Sequence, residues 1–330
     1  MTVVFMEGFD HYNATQMVTY KNWATNQGWA MQTGRFGGQA WYNGQGSTNS
    51  HALPGSYTEL IFGAAGKMVD HDAANAFALY SSGTVVVKVL PVASGPNYVW
   101  KIVNSAGTTL ATGTTPIALS TWYYLELRVV VSATVGTVEL RLNGSTTAEC
   151  SATGVNTGAL SINTVAASGN QFHYDDMYCV DPNSGSAPTN TWLGDVRVET
   201  LLPTSNGNST AWTGVYTAVD EGGAANDDTD YIYSSTPGDK ETYGLSDLSV
   251  TNGTVYAVQA NLTARKDDAG SRTIAPVLRV GGTDYDGTTT GGLAASYLDY
   301  KQLYERLDPS GAAWTVSTVN AMEAGVKEVA

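Results

Sequence analysis

Side chains able to do chemistry are few in this chain and sit in short acidic or aromatic groups. Four histidines occur, His11, His51, His71 and His173. Asp70-His71-Asp72 offers metal ligands, but three consecutive side chains of an extended chain cannot converge on one ion, so the triplet reads as a polar turn. Asp227-Asp228-Thr229-Asp230, after Asp220-Glu221, carries oxygens of the kind Ca2+ takes. The glycine and closing glutamate of an EF-hand loop are missing there, and an acidic solvated loop is expected. Asp175-Asp176 has the composition of an acid–base pair for glycoside hydrolysis, yet neighbours on a strand face opposite sides of a sheet. Trp29, Trp41 and Tyr42 stand among glycines and asparagines, and exposed rings of this kind stack on sugars. Core packing is the commoner use of aromatics in a β-rich chain. No serine nucleophile elbow, phosphate loop or zinc-protease helix occurs. The residues therefore predict no catalytic, cofactor or metal site, and a candidate glycan-binding group at Trp29, Trp41 and Tyr42.

The elements that must position these groups are strands. The 330 residues are 42% hydrophobic and only 14% charged, with 36 glycines and 19 tyrosines. Uncharged polar loops between β-branched runs are the composition of an all-β protein. In Trp122–Val131 the residues Tyr123, Leu125, Leu127, Val129 and Val131 share one face, with Glu126 and Arg128 on the other. After a turn at Gly136, Val138, Leu140 and Leu142 alternate with Thr137, Glu139 and Arg141 as far as Asn143-Gly144. This period of two predicts an antiparallel sheet with one face buried. Earlier strands are expected at 57–63, 75–80, 84–91 and 97–104.

Asp181–Pro188 is a cluster of breakers and the natural linker. The expected organisation is two β-sandwich, jelly-roll-like domains in tandem: 1–182, a linker at 183–190, and 191–330. In the second domain strands are expected at Asp195–Glu199, Thr254–Leu262 and Ile274–Val280. The stretch from Leu293 to Leu307 fits helical spacing as well as alternation, and its tyrosines favour a strand. Thr315 or Ser317 is placed to cap a short helix through Met322, with Gly325 just past its end.

Thirty acidic against sixteen basic residues give a net charge of −14, which disfavours nucleic acid as a partner. No apolar run approaches the ~20 residues of a membrane span. Met1-Thr2-Val3-Val4-Phe5 has neither a basic region nor an apolar run with a cleavage site, and the expectation is synthesis without export. On that ground Cys150 and Cys179 are expected to be buried free thiols.

Glu7-Gly8-Phe9-Asp10, Gly34-Arg35-Phe36-Gly37-Gly38, the hairpin from Trp122 to Arg141-Leu142-Asn143-Gly144, and Tyr174-Asp175-Asp176-Met177-Tyr178 occur in an order that resembles the concanavalin A-like, laminin-G-like jelly roll over residues 1–182. The Glu-x-Asp-x-Glu strand of lectin-fold glycosidases is absent. In the second half, Trp192–Val198, Asp308–Thr315 and Val319-Asn320-Ala321 with Glu323 and Gly325 resemble the C-terminal module of tailed-bacteriophage virion proteins. That resemblance implies a non-enzymatic structural protein of a phage particle, in head decoration, collar or tail. It implies a host cytoplasmic origin, other virion proteins as partners, and a homo-oligomer such as a trimer. The alternative is a receptor-recognition protein that binds host surface glycans.

Overall fold

The computed structural model describes residues 2–25, 29–44, 47–70, 76–158, 160–169, 171–185, 188–223 and 227–330, with Thr25, Trp29, Ser47, Ser168 and Gly169 placed by backbone only. The chain forms two compact units. Unit 1 comprises Met1–Asp10 and Asn22–Val198, and unit 2 comprises His11–Lys21 and Glu199–Ala330. The division falls at Val198/Glu199 rather than within 183–190, and the early segment His11–Lys21 belongs to unit 2. Residues 191–198 stay with unit 1 because side chains of its sheet take up their backbone N–H groups.

The strands of unit 1 begin with β1 (Val3–Glu7), β2 (Ala24–Thr25), β3 (Trp29–Gly34), β4 (Gly37–Asn43) and β5 (Ser47–Tyr57). Next come β6 (Glu59–Met68), β7 (Phe77–Ser81), β8 (Thr84–Ser94), β9 (Asn97–Asn104) and β10 (Thr109–Thr112). The set closes with β11 (Trp122–Val130), β12 (Gly136–Leu142), β13 (Cys150–Val155), β14 (Ile162–Gly169) and β15 (Phe172–Val180). They make two antiparallel sheets. The first runs β13-β12-β11-β6-β15-β4-β3, with β1 also on β15, and the second runs β10-β9-β8-β7-β14-β5-β2. Between them lie Phe62, Phe77, Trp100, Phe172 and Tyr174, in edge-on or tilted pairs such as Phe62–Phe77 at 5.3 Å. Burial of such rings is the main stabilising term of the sandwich. The β11–β12 hairpin has the expected register, with Leu125 opposite Leu142 and Val129 opposite Val138.

Unit 2 holds β16 (Pro203–Thr210), β17 (Lys240–Leu245), β18 (Ala257–Ala264), β19 (Ile274–Val280), β20 (Thr283–Asp286), β21 (Leu298–Glu305) and β22 (Glu323–Glu328). A five-stranded sheet β16-β17-β22-β19-β20 is accompanied by the ladder β18-β21. Leu278 and Val280 of the sheet form a core with Trp314, Val319 and Met322, against which Val258, Ala260 and Tyr304 of the ladder pack. The ambiguous 293–307 stretch is therefore a strand from Leu298, because its alternation finds a partner in β18.

Two short helices belong to unit 2. The sequence reading missed α1 (Ala14–Thr19), although Asn13 and Gln16 cap its start reciprocally. Helix α2 (Val316–Ala321) is capped by Thr315, whose Oγ1 accepts from Thr318 N–H. Gly325 is not its C-terminal cap. It lies within β22, where a Cβ would collide with the backbone of Glu241 on the neighbouring strand. Lys21, just after α1, and Asp299 on β21 form a buried ion pair at 2.9 Å.

Asp195–Glu199 is not a strand. Its valines alternate, but Val198 N–H donates to the Asp176 side chain and Val196 N–H to the Gly194 carbonyl instead of to a neighbouring strand. Both cysteines are free and buried. Geometry gives the reason: β13 and β15 stand four positions apart in one sheet, or about 19 Å at the usual strand spacing, beyond the reach of a disulfide. Burial pushes the Cys150 thiol up to about 12.

Candidate functional site

The outer face of the first sheet carries the site, and its register dictates which side chains meet. Trp122 on β11 stands opposite Lys67 on β6, Lys67 opposite His173 on β15, and His173 opposite Tyr42 on β4. Their chain neighbours Tyr123, Phe172 and Trp41 point into the sandwich, so alternation turns all four outward. Trp122 and His173 approach edge-on at 6.1 Å, and Tyr42 and His173 tilt together at 5.0 Å. The Lys67 ammonium lies 4.8 Å from the centre of the Trp122 ring. Trp122, Lys67 and Tyr42 are half-buried, and His173 is 9% exposed. The row spans three strand spacings, about 14 Å.

His173 is neutral at physiological pH. Burial, and then the nearby Lys67 charge, lower its pKa to about 4. Its buried Nδ1 has no hydrogen-bond partner among the described residues. A neutral imidazole can donate from one nitrogen and accept at the other. The row thus combines ring faces, a neutral hydrogen-bonding group and a cation.

One register step along the same strands the face is closed. Residues 191–198 lie over Tyr124, Glu126, Tyr178 and the Asp175–Asp176 bend. Glu126 Oε1 accepts from Gly194 N–H at 2.8 Å and from the Tyr178 hydroxyl, which in turn accepts from Leu193 N–H. Val198 N–H donates to Asp176 Oδ1 at 2.8 Å. Arg35, on the β3–β4 turn, reaches Asp195 at 2.6 Å and Asp176 at 3.5 Å, and its backbone N–H donates to Asp175 Oδ2. Arg197 and Arg35 both lie over Phe36, and Arg141 lies 4.1 Å from the Trp192 ring centre. Gly34 permits the approach of Asp175, since a Cβ there would stand 2.8 Å from Oδ2.

The acidic pair departs from the expected geometry. Asp176 has φ +51°, and the register shifts between Asp175 and Tyr178. This bulge turns both carboxyls toward Arg35 rather than to opposite faces. Burial raises both; the Asp176 and Asp10 charges raise Asp175 further, to about 8, while Val198 N–H and Arg35 hold Asp176 back to about 6. Asp175 is 6% and Asp176 2% exposed, so the pair meets backbone and Arg35 instead of a substrate.

The candidates read from the sequence are scattered. Trp41 is 1% exposed and packs against Phe9 and Trp23, so its ring offers no open face to a sugar. Tyr42 is in the open row. The side chain of Trp29 lies outside the described residues, as do His71 and Asp72. Asp228 is held by Arg265 at 2.7 Å and by the Tyr297 hydroxyl at 3.1 Å. His11 is half-buried beside Lys21 in unit 2, and His51 lies under Phe5 and Trp23. Among the described residues no group of three or more His, Cys, Asp or Glu side chains could hold a metal ion. Sequence reasoning missed Trp122, Lys67 and His173. The alternation Trp122-x-Tyr124-x-Glu126 marks the outward face, but only strand pairing brings Lys67 and His173 beside it.

On the outer face of the second sheet, Asn22, Thr48, Ser50, Tyr80 and Thr164 line a shallow groove of about 280 Å³ without charged side chains.

No known family's sequence profile matches the chain. No curated protein sequence matches it either. Similar solved structures include domain 4 of AbnA, a GH43 extracellular arabinanase from Geobacillus stearothermophilus in complex with arabinotriose, at 15% identity, covering 55% of this chain and 92% of that one with a TM-score of 0.37. The Ca2+/Man3GlcNAc-bound exoplasmic/lumenal domain of VIP36 is 12% identical, with 50% and 88% covered and a TM-score of 0.34. Carbohydrate binding module CBM66 from Bacillus subtilis is 15% identical, with 48% and 90% covered and a TM-score of 0.29. Scores this low carry no functional argument. The class of the protein, an all-β chain of two sandwiches, rests on its own strand order.

Proposed function

We propose that this chain binds carbohydrate through the open half of the first sheet's outer face, and that it acts by recognition rather than by catalysis. The observation that carries the reading is the cross-strand row Trp122–Lys67–His173–Tyr42. A sugar ring has an apolar C–H face that packs on an aromatic ring and a hydroxyl rim that needs hydrogen bonds. Half-open rings beside a neutral imidazole supply both. Cross-strand aromatic pairing also stabilises sheets, but rings serving that end alone need no cation among them. The carboxyls that could do acid–base work are sealed under 191–198, which supports binding without hydrolysis.

A structural role in a phage particle, with virion proteins as partners, self-assembly and a host cytoplasmic origin, rests on the motif resemblance of the C-terminal half. Neither the site nor the structures named above adds to it.

The test is a glycan array followed by calorimetry on the strongest hit, with the intact chain and with Trp122→Ala and Tyr42→Ala. Both variants are expected to weaken binding while keeping the circular dichroism of the intact chain. Silence of the folded protein across the array, or a hit untouched by either substitution, removes the reading.

A further inference from the structure

We infer that the saccharide taken by this face is a carboxylated one, its carboxylate held by Lys67 while the ring it belongs to lies against Trp122. The inference rests on the carbohydrate reading and deepens it. Carboxylates outnumber cations by thirty to sixteen in this chain, and most cationic side chains near a carboxylate are already engaged. Arg35, Arg128, Arg141, Lys240, Arg265 and Lys327 each form an ion pair. Lys67 is half-buried in the middle of the aromatic row, and among the described residues no carboxylate pairs with it. Its ammonium meets the Trp122 ring instead.

The neighbouring groups agree with an anionic ligand. His173 is neutral and competes for no anion, and Tyr42 offers a hydroxyl. The nearest carboxyl along the strands, Asp175, already accepts the N–H groups of Arg35 and Asp176. The net charge of −14 opposes anions at long range, but charges farther than about 8 Å are largely screened at physiological ionic strength. A cation in contact with the ligand is not screened in this way, so the local charge decides. An ammonium that leaves the indole for a carboxylate exchanges a cation–π contact for a charge-assisted hydrogen bond, the stronger of the two at a half-open site.

The experiment compares two matched pairs by calorimetry: sialyllactose against lactose, and trigalacturonate against its methyl ester. The acid of at least one pair is expected to bind tenfold or more tightly than its neutral partner, and to weaken as salt rises from 50 to 500 mM. Lys67→Met should abolish the preference and Lys67→Arg should keep it. Equal binding of acid and neutral sugars overturns this inference and leaves carbohydrate binding standing, as does an acid preference untouched by Lys67→Met. Silence toward both pairs and toward the whole glycan array overturns both. Competition by poly-glutamate as strong as by the acidic sugar overturns the saccharide assignment in favour of a general anion site.

Discussion

On the outer face of the first sheet, Trp122, Lys67 and Tyr42 stand half-open around the buried His173, whereas one register step along the same strands Tyr124, Glu126, Tyr178 and Asp176 are sealed by residues 191–198. Both halves are aromatic and both carry charge, so composition does not separate them. They differ in what their charged groups meet. Under the cover, Glu126 and Asp176 accept backbone N–H groups, and Arg35 draws Asp176 and Asp195 together. In the open half the lysine has an indole in place of a carboxylate. Buried charges paired with backbone and Arg35 hold structure, and a half-exposed cation that meets an indole is available to a ligand.

That contrast can be broken most forcefully at Arg35. Arg35→Ala removes the cation shared by Asp176 and Asp195 and is expected to cost about 3 kcal/mol of stability, the usual penalty for leaving a buried charge alone. Denaturant titration measures it. Glycan affinity per folded molecule should stay as it was; an affinity loss matching the stability loss would show that the halves are one unit.

Trp122→Ala is the converse. Binding of the array hit should fall at least tenfold, about 1.4 kcal/mol, with only a small shift in melting temperature. A large melting shift with affinity intact would place Trp122 among structural rather than recognition residues.

Acidity distinguishes the halves by sign. Asp175 and Asp176 titrate higher in the folded chain than in the unfolded one. The folded state therefore holds more protons, and their contribution is full below about pH 4 and is lost as pH rises through about 6 and then about 8. His173 is depressed to about 4, so its contribution is full above about pH 6.5 and is lost as pH falls toward 4. Melting scans should show stability declining from pH 5.5 to 9, and Asp175→Asn should flatten that limb alone. A variant whose alkaline limb matches the wild type would contradict the assignment to Asp175.

The smallest effect is expected at Trp192. Trp192→Ala removes the ring under Arg141 and should cost about 1 kcal/mol. Hydrogen exchange should rise in 191–198 while the β11–β6 amides keep their protection.

Much of this molecule is legible in the chain. The period-two runs of β11, β12 and β19 specify strands and their buried faces, and Thr315 specifies the start of α2, because these signals are local. Misreadings occur where long-range contacts override local ones. Val196 and Val198 alternate like a strand, but Val198 yields its N–H to Asp176 of a sheet folded earlier in the chain and Val196 donates to Gly194 in a local turn. Gly325 has the position of a helix cap but is needed for the close approach of two strands. The Asp175–Asp176 pair obeys strand alternation only until a bulge with positive φ redirects it.

The aromatic row follows the same division. Alternation along each strand determines that Trp122, Lys67, His173 and Tyr42 face away from their core-packed neighbours. Four strands drawn from distant parts of the chain then have to pair in one register before those side chains touch. That register, and the choice of which half of the face residues 191–198 cover, is decided by the tertiary structure, because strand order and buried hydrogen bonds belong to no single segment.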